Sequence, residues 1–168
     1  MKTIDLARSL VDDEHICRWL VDNGASVSSR AELDITPTTI AVRDGSMSIV
    51  RMFLERCHGI QGGQLLHFAI VRKSEDVLEV IELLLNLGCP VDKVLFQDDP
   101  RSWMYWKLTD PDTPLLRVVK MGKTDIVAYL LFRGADPAFP STRGRTPLQV
   151  AESNGHTSIV GLLKQYFR

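Results

Sequence analysis

No run of apolar residues in this chain approaches the roughly 18 that a membrane-crossing helix needs. The first residues, Met1-Lys2-Thr3-Ile4-Asp5, lack the apolar core of a secretory signal. An excess of charge is missing too. The 20 basic residues are balanced by 21 acidic ones, for a net charge of −1, so no global field draws the chain to nucleic acid or to an anionic membrane. Cysteine is scarce. Cys17, Cys57 and Cys89 are odd in number and stand 40 and 32 residues apart, a spacing that fits no zinc motif. These absences predict an intracellular protein, cytoplasmic or nuclear.

Catalytic signatures are also missing. There is no Gly-rich phosphate loop, no H-E-x-x-H, no Cys-x-x-Cys and no Gly-x-Ser-x-Gly. No metal and no cofactor is therefore expected.

What the sequence does contain is a repeat. Thr36-Pro37, Thr113-Pro114 and Thr146-Pro147 each precede a Gly nine residues after the Thr: Gly45, Gly122 and Gly155. Four residues beyond each Gly comes an Ile-Val pair, at Ile49-Val50, Ile126-Val127 and Ile159-Val160. Turns led by Gly24, Gly88 and Gly134 close three of the copies. The period of 33 between Thr113 and Thr146 points to stacked units, each too small to bury its own apolar face. In the best copy, Thr113 can cap a short first helix, with Pro114 at a position whose N–H would be unused. Ile126, Val127, Leu130 and Leu131 then form an apolar stripe on a second helix, which Gly134 ends.

These residues resemble the ankyrin repeat, with its Thr-Pro-Leu-His-x-Ala, Gly-His, Ile-Val and Gly-Ala-Asp positions. The resemblance is strongest in the last two copies, and it implies an all-α solenoid of stacked helix-turn-helix units. Earlier copies are degenerate. The second ends in Cys57-His58-Gly59, and the third opens on Gln64-Leu65-Leu66-His67-Phe68-Ala69 with about three extra residues between Lys73 and Glu79. The first keeps only its second helix, with Ile16, Trp19, Leu20 and Gly24. One domain over residues 1–168 is expected, with units near 1–30, 31–60, 61–93, 109–140 and 141–168. His67 and His156 fall at structural positions of the repeat, and the cysteines read as small core residues.

The period breaks once. Gln64 and Thr113 are 49 residues apart, and the surplus forms a long loop insertion, 94–108, between the third and fourth units. It carries Trp103, Tyr105 and Trp106, two of the three tryptophans in the chain. Such rings either fill a gap between neighbouring units or line a recognition surface.

The resemblance implies a non-catalytic protein–protein interaction module. A partner peptide or domain would lie along the concave face and the aromatic insertion. In ankyrin-like units that face is made by positions before the Thr-Pro and at the end of the first helix. Here these are Glu32, Leu33, Ile35, Arg43 and Asp44, then Ile60, Gln61, Val71 and Arg72. The later units add Thr109, Asp110, Asp112, Lys120 and Met121, then Thr142, Arg143, Arg145, Ser153 and Asn154. The expected contact set is Arg43, Arg72, Trp103, Tyr105, Trp106, Lys120, Met121, Arg143 and Arg145. A cation in each unit from the second to the fifth suggests an acidic partner, with an ordinary solvated face as the alternative. A different reading is a small-molecule-binding protein or an enzyme of the isomerase, cyclase or hydrolase type. Asp98, Asp99, Asp110 and Asp112 flank the insertion, and His67, Arg72 and Lys120 belong to the units it joins. Burial would lift a carboxyl toward the range of acid–base catalysis.

Overall fold

The computed structural model describes residues 13–30, 35–57 and 64–166. The positions Glu32, Leu33, Ile60 and Gln61 and the turn at His58-Gly59 lie outside them. Among the described residues all regular structure is helical, and no helix is long and apolar enough to cross a membrane. The chain divides into two compact units, residues 1–89 and 90–168.

The first compact unit holds α1 (Glu14–Asp22), α2 (Pro37–Asp44), α3 (Met47–Glu55), α4 (Leu65–Ile70) and α5 (Val77–Asn86). Helices α2 and α3 form one pair, α4 and α5 the next, and α2 packs on α4. Thr36 starts α2 with a capping box: its hydroxyl accepts from the Thr39 amide at 3.1 Å, and the Thr39 hydroxyl accepts from the Thr36 amide at 2.9 Å. Gln64, which stands where other copies have Thr, offers α4 no capping hydrogen bond, and α4 is only six residues long. Cys17, Ile40, Ile49, Met52 and Phe53 make one buried cluster, so Cys17 serves the core as a small apolar side chain. The turn after α1 is fastened to α2 through the Val27 carbonyl, which accepts from the Thr38 hydroxyl at 2.7 Å.

The second compact unit holds α6 (Pro100–Trp106), a 3-10 turn (Lys107–Thr109), α7 (Pro114–Met121), α8 (Thr124–Phe132), α9 (Pro147–Ser153) and α10 (Thr157–Gln165). Pairs α7–α8 and α9–α10 stack with α7 on α9 and α8 on α10. Thr113 and Thr146 cap α7 and α9 as the sequence predicts. Their apolar faces close on Leu115, Ile126, Leu130, Ile159 and Leu163, all fully buried. The stretch read as a loop insertion contains a helix, α6. Asp99 accepts from the Ser102 amide at 2.9 Å and Pro100 occupies the first helical position, so the Asp99-Pro100 pair starts a helix.

At Gly122 two repeats meet. Its φ is +71°, and an added Cβ would stand 2.9 Å from the His156 ring. Gly122→Ala is expected to cost about 1–2 kcal/mol, from left-handed strain and from displacement of the imidazole. Thermal unfolding measures it. The double variant Gly122→Ala/His156→Ala should cost less than the two single losses added together.

Candidate binding site

The second compact unit carries a cleft of about 550 Å³ beneath the insertion. Leu95, Phe96 and Trp106 form its aromatic and apolar wall, and Lys120 and Met121 enter from the end of α7. Asp110, Asp112 and Arg117 line the rest. Phe96 and Trp106 stack with ring centres 5.9 Å apart, and Tyr105 meets Trp106 edge-on at 5.2 Å. Phe96 is buried at a left-handed φ of +63°, a conformation uncommon for a bulky residue. The main chain is pinned there by the Leu95 amide, which donates to the Asp112 carbonyl at 3.0 Å.

Asp110 organises the far side. It also has a φ of +63°, which Asp tolerates better than most residues, and it is only 6% exposed. Its Oδ1 accepts from the Thr142 hydroxyl at 2.9 Å and the Arg143 amide at 3.1 Å, tying the insertion to the turn at 141–145. Burial pushes the Asp110 carboxyl up. Hydrogen bonds from Thr142 and Ser141, the Lys120 charge and the Arg143 amide together outweigh it and hold the group below its ordinary value. Lys120 Nζ lies 3.1 Å from Asp112 Oδ2 and 3.7 Å from Asp110 Oδ2. Arg117 Nε donates to Asp112 Oδ1 at 3.1 Å, and Arg145 reaches Asp110 at 3.5 Å. Arg143 extends to the Leu108 carbonyl at 2.8 Å. Three cations, Arg117, Lys120 and Arg145, thus surround two carboxylates.

The insertion divides its side chains. Trp106 and Phe96 anchor it, and Trp103 is half-buried. Met104, Tyr105 and Leu108 point outward at 67%, 71% and 77% exposure. Trp103, Tyr105, Trp106, Lys120, Met121, Arg143 and Arg145 therefore lie together in one compact unit. Met104, Leu108 and Arg117 were missed in the sequence, although Met104 and Leu108 belong to the same aromatic stretch.

The family model for ankyrin repeats in three copies matches residues 80–167, just over half the chain. The chain belongs to the ankyrin repeat family. A human protein, the 2-5A-dependent ribonuclease, is 30% identical over 93 residues, which is 55% of this chain and 11% of that protein. The chain thus spans about a tenth of that relative's length. Ankyrin repeats generally mediate protein–protein interaction.

Two residues of the expected contact set lie in the other compact unit of this ankyrin-repeat chain. Arg43 forks onto its neighbour Asp44 at 2.6 Å and lies 5.7 Å from the centre of the Phe68 ring. Arg72 needs a correction. It is 4% exposed, and its guanidinium is committed to Asp76 and to the Val42 carbonyl, so it offers no surface cation. The extra residues after α4 bring Asp76 within reach and draw the arginine inward.

The acid–base route through a raised carboxyl also needs correction at Asp110, whose carboxyl is lowered. Of the other aspartates in that reading, Asp98 pairs with Lys93 and Asp99 caps α6. Among the described residues no three His, Cys, Asp or Glu side chains gather as a metal site.

Proposed function

We propose that this ankyrin-repeat chain is a binding module for a protein partner. The partner engages the second compact unit, along α6, the end of α7 and the turn at 141–145. One observation carries the reading: Met104, Tyr105 and Leu108 leave three large apolar side chains exposed within five residues. A soluble fold has no reason of stability to keep such a patch, and aromatic residues dominate binding hot spots. Arg143 and Arg145 lie on its rim, and the surplus of cations over carboxylates favours an acidic partner. Cysteines that stay as thiols suit a reducing, intracellular compartment.

The test compares wild type with Met104→Ser/Tyr105→Ser/Leu108→Ser for affinity to a protein retained from native lysate. The triple variant should bind about 30-fold more weakly, the effect of losing roughly 2 kcal/mol at a hot spot. Its unfolding midpoint should fall only slightly, because the three side chains are exposed and only Tyr105 meets another ring. Equal affinity would place the partner elsewhere. The cleft favours a second reading, a small ligand held beside Trp106, since its volume suits one. A rise in melting temperature with an isolated metabolite, and no retained protein, would mark that outcome.

A further inference from the structure

We propose that the partner docks on the outward face of α6 through a short segment in which large apolar residues are flanked on both sides by Asp or Glu. The inference rests on the reading of the chain as a protein-binding module and adds the chemistry of the segment that docks.

Helix α6 is apolar on two sides. On the inner side Trp106 stacks on the buried Phe96, and Ser102 is buried. On the outer side Arg101, Met104 and Tyr105 stand at i, i+3 and i+4, one face of the helix, and Leu108 follows in the 3-10 turn. All four are exposed. A helix with apolar residues on both sides is suited to being covered on both. The body of the second compact unit covers only the inner one.

The charge around the outer face is one-sided. Residues 100–121 and 141–145 hold six basic residues and two acidic ones, Asp110 and Asp112, both buried. The whole chain carries −1, so the bias is local. Arg101 stands at the start of the apolar stripe. Lys107 and Arg143 stand at its end, Arg143 held there by its 2.8 Å hydrogen bond to the Leu108 carbonyl. None of these three exposed cations makes an ion pair with a described residue. Carboxylates on either side of an apolar core are the complementary arrangement. An anionic bilayer fits less well, because three apolar side chains give a weak hold and a chain of net charge −1 is not drawn to it.

The experiment pans the immobilised full chain against a random dodecapeptide library displayed on phage, then measures the affinity of the enriched peptide after synthesis. Enriched peptides should carry Asp or Glu on both sides of Leu, Met, Phe or Trp. The peptide should bind Lys107→Ser/Arg143→Ser about three- to tenfold more weakly than wild type, and that gap should narrow in high salt. It should bind Met104→Ser/Tyr105→Ser/Leu108→Ser about 30-fold more weakly. Thermal unfolding confirms that each variant is folded. Enriched peptides without an acidic excess overturn the inference. So does an acidic peptide held equally by Lys107→Ser/Arg143→Ser, which removes the role of these cations. A library that yields no peptide overturns it as well, and sedimentation of the chain with phosphatidylserine vesicles would then make the face a lipid contact. Neutral or basic peptides that still lose affinity for the Met104/Tyr105/Leu108 variant defeat this inference alone. Unchanged partner affinity in that variant defeats the module reading instead.

Discussion

Arg72→Ala is expected to lower the unfolding free energy of the first compact unit by about 3 kcal/mol, from the lost hydrogen bonds of a buried guanidinium and the cavity its removal leaves. The Arg72 side chain is 2% exposed and forks onto Asp76, Nε to Oδ1 at 2.6 Å and Nη2 to Oδ2 at 2.7 Å. Its Nη1 donates to the Val42 carbonyl at 3.1 Å. Val42 lies in the last turn of α2, where carbonyls have no helical partner and the helix dipole favours a cation. One side chain therefore satisfies a helix end and a carboxylate, and binds neighbouring helix pairs together. Urea denaturation followed by circular dichroism reads the loss. Arg72→Lys should recover only part of it, because an ammonium cannot make the fork. If Arg72 were instead a partner contact, Arg72→Ala would weaken binding and leave stability intact.

The same pair sets a pH dependence. The Arg72 hydrogen bonds hold the Asp76 carboxyl at about 2, down from 3.8, against the opposing effect of burial. A folded-state value below the unfolded one gives stability that is complete above pH about 4 and lost as pH falls through about 2. The amount at stake is about 2 kcal/mol. Wild type should lose more than Arg72→Ala over that acid range, because only the Ser74 and backbone hydrogen bonds still lower the Asp76 carboxyl in the variant.

Asp110→Ala is expected to cost the second compact unit about 3 kcal/mol and to abolish partner binding. The carboxylate accepts two charge-assisted hydrogen bonds from the 141–145 turn, and alanine tolerates a φ of +63° poorly. Its loss also leaves Lys120 and Arg145 facing one another with less compensation. Asp110→Asn keeps an acceptor and the left-handed preference, so it should cost about 1 kcal/mol. Because the folded carboxyl is lowered, its stabilisation is present above the ordinary carboxylate range and fades as acid protonates it. Amide hydrogen exchange at 94–112 and 141–145 separates local release of the insertion from global unfolding.

The parts of this structure legible in the sequence are the local ones. Thr36, Thr113 and Thr146 cap helices a few residues away, and the Ile-Val pairs are buried except for the half-buried Val160, so spacing alone places them. Helix α6 carries an equally local signal, Asp99-Pro100, but the same dipeptide also opens turns, and only the Ser102 amide decides between them. Arg72 was misplaced because its partner sits in the irregular segment after α4, where the repeat register no longer says which way a side chain points. Asp110 was visible as an aspartate beside the insertion. Its acceptance from Thr142, 32 residues on, is tertiary and has no periodic signature. The aromatic stretch was legible as a unit, whereas the division into anchored Trp106 and outward Tyr105 depends on the stack with Phe96.

The measurement that tests the central claim most directly is a hydrogen-exchange footprint of the full chain with and without the protein it retains from lysate. Protection concentrated in 100–112, 117–121 and 141–145 is the predicted result. Protection confined to other segments, with these three unchanged, would contradict it and take the binding surface away from the insertion.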